Sequence, residues 1–137
     1  MITHRRPWFT SGLMAILLFA ALHVGALSPA TAADFDKGMT AYRSGDYQTA
    51  LAEWRQLAES GHATAQYNLG LIYHKGRGVA RDLVRTYVWY DLAAFNGSEK
   101  SQTRRNLLKT VLSAEQITQA KARARRCRDS NYQECGD

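Results

Sequence analysis

The stretch ATAQYNLGLIYHKGRGVARDLVRTYVWYDLAAFNG, residues 63–97, constrains the fold of this chain more than any other. Its apolar residues recur at spacings of three and four, broken at Gly76-Arg77-Gly78 and closed at Asn96-Gly97, so it reads as two helices joined by a turn. Leu69 and Tyr73 lie one helical turn apart with Gly70 beside them. The expected partner of Gly70 is the small pair Ala93-Ala94 on the returning helix, which would let the two axes approach closely. Within the turn Gly76 and Gly78 suit positive φ, Val79 can plug the bend, and Asp82 can cap the second helix. That second helix is apolar nearly all round, with Leu83, Tyr87, Tyr90 and Ala94 in one row and Val84, Val88, Leu92 and Phe95 in another, which predicts packing on more than one side. A single hairpin of this kind cannot bury its own apolar face, so neighbours built alike must stack against it.

Similar punctuation recurs on both sides. Ser44-Gly45-Asp46, Ser60-Gly61 and Ser113 mark turns, and no proline follows Pro29. The segments between them carry helical spacing, which predicts helices over about 35–44, 46–60, 62–75, 82–96, 98–111 and 113–128. They pair into hairpins over about 34–61, 62–97 and 98–128, an all-α chain in which about three antiparallel helix hairpins form an α/α superhelix. In the first hairpin Gly45 ends one helix and Asp46 offers a cap to the next, whose Tyr47, Ala50, Leu51, Trp54, Leu57 and Ala58 form a wide apolar stripe. Gly38 sits where a small residue lets a partner helix come close. In the third, Ser113 and Gln116 have the spacing of a capping box, and Leu107, Leu108, Val111, Leu112 and Ile117 can cover the end of the stack.

The two ends of the chain differ in kind from the middle. His4, Arg5 and Arg6 precede an apolar run from Leu13 to Val24, followed by Pro29 and the small residues Ala30-Thr31-Ala32-Ala33. This is the pattern of a secretory signal peptide over residues 1–33, with cleavage expected after Ala32 or Ala33; an uncleaved anchor is the alternative, weakened by Gly12, His23 and Gly25. The expected location is therefore outside the cytoplasm, periplasmic or secreted, with residues 34–137 as one helical repeat domain. Cys127 and Cys135 then read as a disulfide, because the compartment is oxidising; closing so short a loop contributes about 2.5 kcal/mol by chain entropy. A redox pair would more often be CxxC, and a metal site would need further ligands nearby.

At Ala63-x-Ala65-x-x-x-Leu69-Gly70-x-x-Tyr73-x-x-Gly76-x-Gly78-Val79-x-x-Asp82, continuing through Trp89-Tyr90-x-x-Ala93-Ala94-x-x-Gly97, the chain resembles the Sel1-like repeat family. Residues 34–61 look like a degenerate tetratricopeptide or Sel1 unit, and Leu107-x-x-x-Val111-Leu112-Ser113-x-Glu115-Gln116-Ile117 is similar to the tail that follows such repeats in bacterial secreted members. Thr86 departs from the pattern, where the family usually has alanine. The resemblance implies a right-handed superhelix and an adaptor that binds other proteins without catalytic residues or cofactors.

In such an array the first helix of each hairpin lines the concave face. The open row on the middle hairpin is Tyr67, Leu71 and His74 with Lys75 beside it, and the equivalent row on the first is Phe35, Met39 and Tyr42 with Arg43 beside it. Aromatics and a methionine bordered by positive charge suit an apolar peptide segment bearing an acidic group. The same stripe would also suit an inter-repeat core. From Glu99 onward basic residues outnumber acidic ones, and Arg104, Arg105, Lys109, Lys121, Arg123, Arg125 and Arg126 form a candidate patch for an anionic envelope surface, lipid or polymer; a solvated face is the plainer reading. Nucleic acid is not an expected partner. After residue 33 only His62 and His74 remain among the histidines, in no metal or nucleophile motif, and Asp82 and Asp91 do not share a helix face, so no enzyme and no metal are expected.

Overall fold

Within residues 33–135, which a computed structural model describes, six helices follow one another, each opened by a side chain that takes up free N–H groups of the first turn. Asp34 caps α1 (Phe35–Ser44), Asp46 caps α2 (Tyr47–Ala58), and the His62 Nδ1 accepts from the Ala65 amide at the start of α3 (Ala63–Lys75). Asp82 caps α4 (Leu83–Phe95) and Ser98 caps α5 (Glu99–Leu108). Ser113 opens α6 (Ala114–Asp129) with both halves of the expected capping box. Gly45 and Gly76 end α1 and α3 in left-handed conformation, as their place in the turns requires. The chain is all-α, a helical-repeat arrangement of successive helix pairs. No helix among the described residues is long and apolar enough to cross a membrane. The expected signal peptide, Ala33 apart, lies outside the described residues.

The first two pairs share one locking device. On α1, a Cβ at Gly38 would stand 2.4 Å from the Trp54 indole nitrogen; on α3, a Cβ at Gly70 would stand 2.5 Å from Cε1 of Tyr90. Each glycine is the slot through which an aromatic of the returning helix crosses its partner. The expectation that Gly70 faces Ala93-Ala94 is thus corrected: small does not face small, but instead admits a large ring that spans the interface. Trp54 and Tyr90 are 2% and 1% exposed, so neither ring has room to retreat. Thr86, the departure from the repeat pattern, is buried, and its hydroxyl donates to the Asp82 carbonyl one turn back at 2.7 Å, so its own polar atom is paired.

α4 is the hub. It packs against α3, α5 and α6, which explains why Tyr87, Val88, Trp89, Tyr90, Leu92 and Ala93 are all buried on a helix without a polar face. Phe95 is the exception to its expected row: it is 66% exposed, beneath the Arg128 guanidinium at 4.7 Å. The third pair departs from the first two, since α5 and α6 each find their main partner in α4 rather than in one another. Leu108 and Leu112 are buried as expected, whereas Leu107 and Val111 do not cover the end of the stack and stand 63% and 65% exposed.

The chain end is tied down covalently and by hydrogen bonds. Cys127 and Cys135 are joined by a disulfide, with Cα atoms 4.4 Å apart, and both are buried. The loop it closes holds Tyr132 in left-handed conformation and brings its hydroxyl to the Asn96 side chain at 2.8 and 3.0 Å. Asn96 also donates to Gln66 of α3, and the buried Gln66 amide donates to the Ala58 carbonyl at the end of α2. One polar chain thus connects the tail to three helices, and the buried amide of Gln66 is satisfied at both ends.

Candidate functional site

One cleft opens between α1, α3 and α5, and a second between α3, α4 and α5. The first, of about 420 Å³, is lined by Phe35 and Met39 of α1, by Thr64, Tyr67 and Asn68 of α3, and by Ser98 and Lys100 at the start of α5. Three helix pairs therefore contribute to one opening. Phe35 is placed by stacking on the His62 ring, centroids 5.5 Å apart, and by contact with Trp54. Met39 receives the Asn68 amide at its sulfur, 3.8 Å away. Tyr67 is 9% exposed and stacks on Tyr90 at 5.6 Å, so most of its ring belongs to the core and its edge to the cleft. Lys100 and Arg104, one turn apart on α5, lie over that ring at 4.8 and 5.8 Å.

The second cleft, also about 420 Å³, lies between α3, α4 and α5. Leu83, Tyr90, Leu107, Leu108 and Val111 make its apolar wall, and His74, Arg81, Arg104 and Thr110 its polar one. Arg81 is held in place by donating from Nε to the His74 carbonyl at 3.1 Å. Burial holds the His74 imidazole below its usual pKa, helped by Arg81, Arg104 and Lys75, so it is neutral near pH 7. Its Nδ1 is buried without a partner, and so is the Tyr90 hydroxyl. Burial pushes Tyr90 up to about 12, which keeps it a protonated donor.

The residues expected to form one concave row are therefore divided. Phe35, Met39 and Tyr67 meet in the first cleft and His74 enters the second. Leu71 is half-buried and lines neither; Arg43 and Lys75 are exposed outside both. Tyr42 is committed to structure, with its ring against Tyr47 and Trp54 and its hydroxyl accepting from Arg77 at 2.8 Å. That bond carries the turn between α3 and α4 back onto α1, a link between pairs with no local signature in the chain.

The basic residues do not gather into one patch. Arg104 turns into the second cleft, while its neighbour Arg105 pairs with Asp91 at 2.6 Å, beside Arg128 on the same carboxylate at 3.3 Å. Lys109, Lys121, Arg125 and Arg126 are exposed and Arg123 is half-buried. Sequence reasoning missed Asn68, Lys100, Arg81 and Tyr90 as cleft residues. For Lys100 a signal existed: it precedes Arg104 by four, the spacing that puts two cations on one helix face.

No protein-family model matches this chain. Part of it is similar to a mammalian protein, DAP3-binding cell death enhancer 1. The Rattus norvegicus protein is 42% identical over 57 residues, which cover 42% of this chain and 11% of that one. The Mus musculus protein is 44% identical over 41 residues, 30% of this chain and 8% of its own. The likeness thus spans about a tenth of those relatives' length.

Proposed function

We propose that this chain is an exported, non-enzymatic adaptor of the Sel1-like repeat kind, binding a peptide segment of a protein partner in the cleft formed by α1, α3 and α5. The observation that carries this reading is the convergence of Phe35, Met39 and Tyr67 with Lys100, aromatic and thioether surface from two helix pairs rimmed by a cation from the third. Such a surface suits an apolar segment with an acidic residue, in which the cation orients and the apolar side chains supply most of the affinity. The spacing of residues 63–97 supports the repeat assignment, and the signal-like pattern of residues 1–33 supports export. The partly similar mammalian proteins are named for binding another protein, which agrees with the class of role and names no partner for this chain.

Selection of random peptides on the exported, oxidised protein tests this. Peptides joining aromatic and acidic residues should be enriched. Their binding should fall at least about tenfold in Met39→Asp and in Lys100→Glu, neither of which removes a fully buried side chain. Selection that enriches no peptide, or binding indifferent to both substitutions, would overturn the reading.

A further inference from the structure

We infer that the cleft between α3, α4 and α5 is a separate binding site for a small apolar monocarboxylate, a short- or medium-chain fatty acid or a compound of that chemistry. The inference goes beyond the peptide groove and does not depend on it.

Four observations converge on one opening. Arg81 and Arg104 line it, and among the described residues neither is paired with a carboxylate; no acidic side chain lines the cleft at all. The Tyr90 side chain, 1% exposed, brings a hydroxyl with no partner, and His74 brings a ring nitrogen with none. Leaving such groups unpaired in a buried setting is unfavourable, and an acceptor-rich ligand would relieve it. Leu107 and Val111 lie four apart on the wall and expose most of their aliphatic surface beside buried Leu108, which is what a hydrocarbon chain would cover. The cleft volume falls within the range of about 300 to 1,000 Å³ typical of small-molecule sites.

The polar groups are two obligate donors, Arg81 and Arg104, together with the Tyr90 hydroxyl, the His74 imidazole and the Thr110 hydroxyl. The Thr110 hydroxyl already donates to the Leu107 carbonyl at 2.7 Å, so the donors left for a carboxylate are the two guanidiniums and the Tyr90 hydroxyl, and a guanidinium matches a carboxylate in bidentate fashion. A peptide fits less well. Its main chain carries N–H groups that need acceptors, and the helical walls have already spent theirs on their own ladders. A simple amphiphile has an acceptor head and an apolar body, and asks nothing more of the walls.

Calorimetry of the full, oxidised protein with octanoate and with octanamide tests the assignment, since the two differ only in the charged head. Octanoate should bind saturably and at least about tenfold more tightly than octanamide. Arg81→Gln combined with Arg104→Gln should bring the two together, and Val111→Glu, at an exposed position that does not endanger the fold, should abolish octanoate binding. Equal affinity for octanoate and octanamide would overturn the proposal, as would absence of saturable binding up to about 10 mM octanoate. N-acetyl-Leu-Leu as the free acid is the last arm: affinity tenfold above that of octanoate would make the cleft a peptide-terminus site and overturn the assignment to a simple amphiphile.

Discussion

Between α3 and α4 the buried side chains are large, Leu69, Ile72, Tyr73, Tyr87, Trp89, Tyr90 and Leu92, whereas α6 buries Ala120, Ala124 and Cys127 and α5 buries Ser101 and Leu108. The middle pair is covered on more than one side, so it can use rings that cross the interface through a glycine slot. The C-terminal pair has α4 as its principal neighbour, and it is held by small residues, a disulfide and the Asn96–Tyr132 contact. One region depends on interlocked volume and the other on tethers. The second arrangement leaves apolar surface uncovered, and Leu107 and Val111 show where.

The comparison breaks first at Tyr90. Tyr90→Ala should lower stability by about 3 to 5 kcal/mol, because it empties the slot above Gly70 and leaves a cavity among residues that cannot collapse into it. Chemical denaturation should show the loss across the whole cooperative transition; a loss below about 1 kcal/mol would mean that the ring is not the lock.

Removing the tether is the next largest effect. Cys127→Ser with Cys135→Ser should cost about 2.5 kcal/mol, and amide exchange should rise in α6 and the tail well before it rises in α3. Equal exchange gains in both pairs would erase the distinction between volume and tether.

The smallest effect is alkaline. The Tyr90 hydroxyl titrates near 12 in the folded chain and near its ordinary value of about 10 when unfolded. Above pH 10 the unfolded chain gives up this proton and the folded chain keeps it, so stability is lost as pH rises from 10 toward 12. At pH 11 the loss from this group is about 1.4 kcal/mol relative to pH 8, and Tyr90→Phe should remove that share of the slope. An unchanged slope in the phenylalanine variant would place the alkaline sensitivity elsewhere.

Helix order, caps and turn positions were legible because each is settled within a few residues. Ser113 with Gln116, and Asp46 after Gly45, satisfy the orphan N–H groups of the turn beside them. The disulfide was legible from the two cysteines and the expected compartment. The site was legible only in part. Phe35, Met39 and Tyr67 could be placed on one face by spacing, but Tyr42 sits at the same spacing and is consumed by Arg77. Arg104 and Arg105 are adjacent in the chain and serve opposite ends of the packing, one entering a cleft and the other pairing with Asp91. A count of basic residues cannot separate them, since successive positions on a helix point about 100° apart.

By itself the sequence determined that the chain is helical, where its helices start and stop, and which stripe of each is apolar, because backbone hydrogen bonds and side-chain periodicity act over a turn or two. Only the tertiary structure decided what each stripe meets. That Tyr90 rather than Ala93 crosses Gly70, that α5 and α6 both settle on α4, and that Leu107 and Val111 are left open beside Arg81 and Arg104 all depend on how each helix is rotated and inclined against the next. Those angles are set by close packing among residues distant in the chain.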